Sequence, residues 1–174
     1  MISPQHARLM AAYNRWMNGR LYDASARLTD EDRKRDRGAF FKSIHGTLNH
    51  LVLADHIWLG RFLGKPYPAR SLDQELHSDF AELRSARESL DETISRWVAS
   101  LTEGDLARDM SYTTMTNPQP RRHPVWIGLT HLFNHQTHHR GQLTTLLSQR
   151  GIDPGVTDLI WLPEVQERYL QKLA

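Results

Sequence analysis

The sequence predicts an all-α protein built as a four-helix bundle, and three observations support that fold class. Apolar residues recur at the three- and four-residue spacing of a helix face in four long segments. Alternating patterns typical of strands are nearly absent. The length of 174 residues suits one domain with its own core. Four amphipathic helices of this kind bury their apolar faces by packing on one another.

The sequence gives approximate limits for the four helices. They are predicted over Pro4–Leu28, Ser43–Leu63, Ser71–Leu101 and Val125–Gln149. Charges of both signs fill residues 30–37, which favours a solvated loop between the first two helices. Gly64 and Pro66 follow the second helix, Gly104 marks the end of the third, and Gly151 is a good C-cap for the fourth.

The connection between the third and fourth helices is long and has a different composition. Residues 110–115 favour extended backbone, and the prolines that follow Asn117 favour a turn. We therefore expect a long loop or a small hairpin here, which also allows a crossover in the bundle. A short last helix is expected to begin near Pro163, because proline suits the first turn of a helix.

Composition narrows the function classes. The chain has no cysteine, which excludes disulfides and sulfur-ligated metal sites. Lys+Arg exceed Asp+Glu by only 22 − 20 = 2, and Arg121, Arg122 and His123 form the only small basic cluster, so we expect no nucleic-acid partner.

No apolar run reaches the roughly 18 residues of a membrane helix, and residues 1–10 lack a signal-peptide pattern. We expect a single domain over residues 1–174, in the cytoplasm.

The ten histidines include a pair on one face of the fourth helix. His135 and His139 are four residues apart, so they lie one above the other. At about 100° per residue, the core-facing leucines of this helix fall within about 40° of the same direction. Two imidazoles in an apolar stripe are costly without partners, and a shared metal ion removes that cost. The zinc-protease motif is excluded because Asn134 and Gln136 flank the first histidine, which leaves no glutamate to act as base.

The second helix offers His50 as a third ligand. Most residues on its face of the helix are small, which leaves room for an ion. Three neutral histidines with an open position are typical of catalytic sites that acidify bound water. The alternative is a core histidine that bonds a backbone carbonyl. For His50 considered by itself, the core-histidine interpretation is favoured. For His135 and His139 considered without His50, the core and metal interpretations are equally good. The three histidines together favour a metal.

Several neighbouring residues have open roles. His131 and His138 fall on the flank of the fourth helix, where they either support the ligands or face solvent. Arg140 is expected to pair with a carboxylate such as Asp55, and binding a substrate anion is its alternative role. Asp55 itself falls about 140° from His50 on the helix, so we do not expect it to bind the metal.

The segment Asn134–Gln142 resembles the signature Asn-His-x-x-x-His-Arg-Gly-Gln of the DinB/YfiT-like metalloenzyme family. Tyr13–Leu21 resembles the first helix of that family, Leu48–Trp58 its second, and Gly151–Ile160 its tail. The resemblance implies a four-helix bundle that binds one divalent metal ion, zinc or nickel, through His50, His135 and His139. It also implies a homodimer.

Better-known members of this family transfer or isomerise with low-molecular-weight thiols such as bacillithiol or mycothiol. The resemblance therefore implies a metal-dependent enzyme, either a thiol-dependent transferase or a hydrolase, that acts on an unidentified small molecule. A non-catalytic metal-binding or stress-related bundle protein is the alternative. An open coordination position favours the enzyme, and a fourth protein ligand that closes the site favours the alternative.

Overall fold

The computed structural model describes residues 1–169 and confirms the all-helical class. The helices are α1 Pro4–Ala26, α2 Asp30–Lys34, α3 Ile44–Phe62, α4 Phe80–Ser100, α5 Glu103–Ala107, α6 Val125–Ser148 and α7 Pro163–Tyr169. The strands are β1 Asp109–Thr113 and β2 Pro120–Pro124, and a 3-10 turn spans Leu159–Trp161. Helix α1 packs on α4 and α6, and α3 packs on the same two helices. The four long helices thus enclose a shared apolar core. No helix within residues 1–169 is long and apolar enough to cross a membrane.

Side-chain caps fix where three of the long helices begin. Ser3 accepts a hydrogen bond from the backbone of His6 at the start of α1. Ser43 accepts one from Gly46 at the start of α3, at 2.9 Å. Asp79 does the same for α4. Each cap satisfies a backbone N–H that has no partner within its helix.

The predicted start of the third helix near Ser71 is wrong, because α4 begins at Phe80. Residues 71–79 form a loop that Asn49 of α3 holds in place. The side-chain Oδ1 of Asn49 accepts hydrogen bonds from the backbone N–H groups of Leu76 and His77, at 2.9 and 3.0 Å. Leu76 packs against the core from this loop, so its helical spacing in the sequence was misleading.

Two short helices replace predicted irregular structure. Residues 30–34 form α2 instead of a solvated loop, with Thr29 as its cap. Gly104 lies inside α5 and does not directly follow the third helix, which ends at Ser100. A capping box marks the start of α5. The side chain of each of Thr102 and Asp105 accepts a hydrogen bond from the backbone N–H of the other.

The connection before α6 is a β-hairpin, which was one of the two predicted forms. Strands β1 and β2 pair antiparallel, with Tyr112 opposite Arg121 and Met110 opposite His123. Side chains alternate between the two faces of a strand, so these four share one face. Met110 is buried in the core, so this face is turned toward the helices. The C-terminal helix α7 begins at Pro163, as predicted.

Candidate metal centre

The structure brings together the three histidines predicted as ligands. Helix α3 contributes His50, and α6, which packs against it, contributes His135 and His139. The Nε2 atom of His135 lies 3.2 Å from that of His50 and 3.1 Å from that of His139. The potential ligand atoms of the three residues all lie within 4.8 Å of one another. Their side chains therefore converge on one point.

Hydrogen bonds on the opposite ring nitrogens fix how two of these imidazoles are protonated. The Nδ1 atom of His50 lies 2.8 Å from the backbone oxygen of Leu72, and that of His139 lies 2.8 Å from Oε1 of Gln142. Because carbonyl oxygens only accept, each Nδ1 carries the proton and donates. The neutral rings then direct their Nε2 lone pairs toward His135. One proton on His135 can satisfy only one of the two lone pairs.

A cation at the convergence point satisfies all three lone pairs. A Zn–N bond of about 2.0–2.1 Å in a tetrahedral site places two ligand nitrogens roughly 3.3 Å apart. The observed separations of 3.2 and 3.1 Å agree with that value. Acceptors on Nδ1 are also the usual support for metal-binding histidines. The donor set therefore fits a metal ion that takes imidazole ligands.

The protein environment keeps these rings neutral, which is the form that binds metal. Burial, opposed by the Leu72 carbonyl, lowers the pKa of His50 to about 4. Burial and the neighbouring histidines lower the pKa of His135 to about 3. Burial also lowers the pKa of His139. At neutral pH, protons therefore compete only weakly for the three nitrogens.

Phe41 covers one side of the cluster, a role that no sequence pattern indicated. Its ring stacks on His50 with centroids 3.7 Å apart and planes 16° apart, and its edge meets His139 at 5.5 Å. A tight turn holds Phe41 there, with Lys42 at φ 64°. The turn lies so close to α3 that a Cβ on Gly46 would collide with the backbone oxygen of Phe41. Glycine at position 46 is what allows this approach.

The structure also resolves the open roles of the flanking histidines. His138 is exposed, and its Nε2 lies 3.3 Å from Nε2 of Gln142, the residue that orients His139. His131 packs against Trp58, with ring centroids 4.7 Å apart and planes tilted by 43°. Neither His131 nor His138 belongs to the cluster of potential ligands.

The predicted pairing of Arg140 with Asp55 is wrong. Arg140 donates to Asn14 of α1, and its Nη2 donates to Thr137 at 3.1 Å. Asp55 instead accepts from Arg87 of α4 at 2.7 Å. Arg140 lies on the side of α6 that faces Asn14 of α1, whereas Asp55 lies on the side of α3 that faces Arg87 of α4, and wheel positions alone could not reveal this. Arg140 is 3% exposed, so a structural role holds and a substrate anion cannot reach it directly.

A buried polar network that sequence reasoning missed joins α1, α3, α4 and α6. Arg87 lies between Asp55 and Asp91, at 2.7 and 2.9 Å. Gln136, next to the ligand His135, donates to Asp55 at 2.6 Å, and Asn18 donates to Asp91 at 3.0 Å. Burial disfavours the charged form of Arg87, whereas the two carboxylates favour it. The carboxylates outweigh burial, so the pKa of Arg87 is raised. The network links the two helices that hold the histidines to each other and to α1 and α4.

An open pocket of about 650 Å³ adjoins the cluster on the side away from Phe41. It runs from the histidines along α3 and α6 to the β-hairpin. The residues that line it include His50, His135, His131, Trp58, Arg61, Leu72, Tyr112, Asn117, Arg121, His123 and Ile127. Small molecules can thus reach the histidines from this side.

Comparisons with known proteins agree with the resemblance in the motifs. A family model described as the DinB family matches residues 2–172. The chain is 26% identical over 149 residues to the protein DinB of Bacillus subtilis strain 168, an alignment that covers 84% of this chain and 87% of that protein. A crystal structure of a DinB-like protein from Bacillus cereus ATCC 10987 shares the fold, with a TM-score of 0.63 and 24% identity over 83% of this chain and 91% of the other. The chain belongs to the DinB family.

Proposed function

We propose that this protein is a metal-dependent enzyme that binds one zinc or nickel ion through His50, His135 and His139. Its reaction is that of a thiol-dependent transferase or a hydrolase acting on a small molecule. The observation that carries the proposal is the convergence of three Nε2 atoms at the end of an open pocket.

The donor set favours a catalytic over a closed structural site. Within residues 1–169, no aspartate, glutamate or further histidine joins the three-histidine group. Three protein ligands leave a coordination position for water or substrate. When bound, the ion would lower the pKa of a water molecule or thiol that reaches it. Because the chain has no cysteine, any reacting thiol must come from the substrate.

The surrounding residues have distinct tasks in this proposal. The backbone of Leu72 and the side chain of Gln142 hold His50 and His139 with Nε2 toward the ion. Phe41 excludes water from one side. The pocket side admits the substrate, and Trp58 and His131 form the wall nearest the cluster.

Elemental analysis of purified, untagged protein tests the site. We expect about one ion per chain and its loss in His50→Ala, His135→Ala and His139→Ala. His6→Ala is the matched control, because His6 is exposed at the start of α1 and outside the cluster. Metal retained in all three ligand variants would overturn the proposal.

A substrate panel then separates the reaction classes. The metal-loaded protein is assayed with thiol acceptors in the presence of low-molecular-weight thiols, and with esters. Turnover that depends on the metal identifies the class. If the loaded protein turns over neither class, both reactions are disfavoured and the alternative of a metal-binding module without catalysis is favoured.

The homodimer, which rests on the resemblance, and the cytoplasmic location, which rests on the composition, belong to the same proposal. Light scattering behind size-exclusion chromatography tests the first. A mass of about twice 20.2 kDa supports a dimer, and a mass near 20.2 kDa contradicts it. Cell fractionation tests the second.

A further inference from the structure

The wall of the pocket is a continuous series of rings that leads away from the metal centre. The His131 ring lies 5.7 Å from that of His135 and 4.7 Å from that of Trp58. Trp58 in turn meets Tyr112 of the hairpin with centroids 5.3 Å apart. Flat, apolar ring faces of this kind bind the carbon body of a ligand.

Arg61 lies at the far end of this wall. Its guanidinium stacks on Trp58 at 4.6 Å and on Tyr112 at 4.3 Å from the ring centroids. The side chain is half-buried, yet no carboxylate of residues 1–169 lies within 4.0 Å of it. Burial lowers its pKa, as expected for a half-buried cation with no carboxylate beside it. Buried arginines are normally paired, as Arg87 is with Asp55 and Asp91.

The hairpin supplies a second cation on the same pocket. Arg121 pairs in register with Tyr112, so both side chains lie on the face turned toward the helices. The adjacent Arg122 points to the other face, where Asp109 binds it at 3.0 Å. Because side chains alternate along β2, Arg122 lies on the outer face with its charge paired, whereas Arg121 lies on the face that lines the pocket. Among the described residues, the pocket lining has two arginines, four histidines and no aspartate or glutamate.

We propose that this pocket binds an organic anion, with its anionic group at Arg61 and Arg121 and its apolar body against Trp58 and Tyr112. Both guanidinium groups suit the planar, bidentate recognition of carboxylates and phosphates. This inference deepens the proposed function, because it places the reacting end of the substrate at His50 and His135.

The geometry also gives the scale of the ligand. His50 and Arg61 are eleven residues apart on one straight helix, so their Cα atoms are about 16 Å apart along α3. Both side chains face the pocket. A substrate that reaches both ends is thus an elongated molecule, with its reacting group remote from its anionic group.

Calorimetric titration with phenylbutanoate and its uncharged amide tests the anion preference, with and without zinc. We expect the wild type to bind the carboxylate at least about tenfold more tightly than the amide, because charge-assisted hydrogen bonds to arginine are strong. Arg61→Gln should abolish that preference, and Arg121→Gln should reduce it. Arg96→Gln is the control, because Arg96 is an exposed residue of α4 remote from the pocket lining. Phenylpropyl phosphate, titrated in parallel, distinguishes a phosphate from a carboxylate substrate.

The metal-free arm keeps this inference separate from the metal proposal. Anion preference without zinc supports the pocket whether or not the histidines bind metal. Arg61→Lys guards against misfolding, because it keeps the charge and should retain part of the preference. Equal binding of carboxylate and amide by the wild type, or a preference that survives both Arg61→Gln and Arg121→Gln, would overturn the inference.

Discussion

The Nε2 atoms of His50 and His135 lie 3.2 Å apart, although the residues are 85 positions apart in the chain. Two imidazoles that present ring nitrogens at this distance can share only one proton. With His139 added on the same side, the arrangement has more lone pairs than protons. A bound cation is the simplest way to make such a cluster stable inside a helical bundle.

Gly46 should be essential for the cover over the metal centre. In Gly46→Ala the new Cβ collides with the backbone oxygen of Phe41, so the turn must move off His50. We expect a loss of about 1–3 kcal/mol in the free energy of unfolding and a weaker hold on the metal. Gly141→Ala is the matched control, since nothing lies within 4 Å of its Cβ position. Urea unfolding should show this control to be neutral or stabilised by up to about 1 kcal/mol; equal losses in both variants would contradict the packing argument.

Gln142 should contribute to metal affinity without touching the ion. Its carbonyl oxygen holds the Nδ1 proton of His139, which directs Nε2 toward the site. Gln142→Leu removes that acceptor, and we expect zinc affinity to fall about 10- to 100-fold. Competition with a chelating dye measures the change. His138→Leu, which removes the other partner of Gln142, should have a smaller effect; an unchanged dissociation constant in Gln142→Leu would count against the orienting role.

The buried ion pair of Asp55 and Arg87 should matter far more to stability than surface ion pairs. Asp55→Ala leaves a guanidinium that is 2% exposed with one carboxylate fewer. We expect a loss of about 3–5 kcal/mol in the free energy of unfolding. Glu92→Ala breaks the exposed pair with Arg15 and should cost less than about 1 kcal/mol. Similar losses in denaturant titrations of the two variants would refute the distinction.

Acidification should destabilise the metal-free protein through His50. The pKa of this residue is about 4 when folded and 6.5 when unfolded, so the unfolded chain binds more protons between these values. Stability is therefore fully present above pH 6.5 and decreases as the pH falls toward 4. Between pH 7.5 and 5, His50 should account for a loss of roughly 2 kcal/mol.

The difference between wild type and His50→Gln isolates this contribution, because the other titrating groups are common to both. Urea unfolding at both pH values, in the presence of a chelator, provides the comparison. A wild type that loses no more stability than the variant would show that His50 is not held neutral by burial.

Local signals in the sequence predicted much of the fold. Helical spacing located the four long helices, and proline marked the start of α7. Helix α4 begins later than predicted because Asn49 holds the backbone of residues 76 and 77 in a loop. This is a long-range contact, and helical periodicity does not indicate it. Leu76 kept the helical spacing without being in the helix, and the capping residue Asp79 was the better indicator.

His135 and His139 were found because ligand spacing on one helix is local, and His50 was found because small residues surround it on its helix face. Their supports were not, because each depends on packing between elements. Phe41 reaches His50 only through the tight turn against Gly46. Arg61 faces the pocket only because the hairpin folds back on α3. The alternation in β2 that separates Arg121 from Arg122 becomes informative only once the register of the hairpin is known.

X-ray absorption at the metal edge of protein loaded with one equivalent of zinc tests the central claim most directly. The account predicts three imidazole nitrogens at about 2.0–2.1 Å, and two in His135→Ala loaded in the same way. A spectrum without imidazole scattering, or one that is identical in the wild type and the variant, would contradict the three-histidine centre.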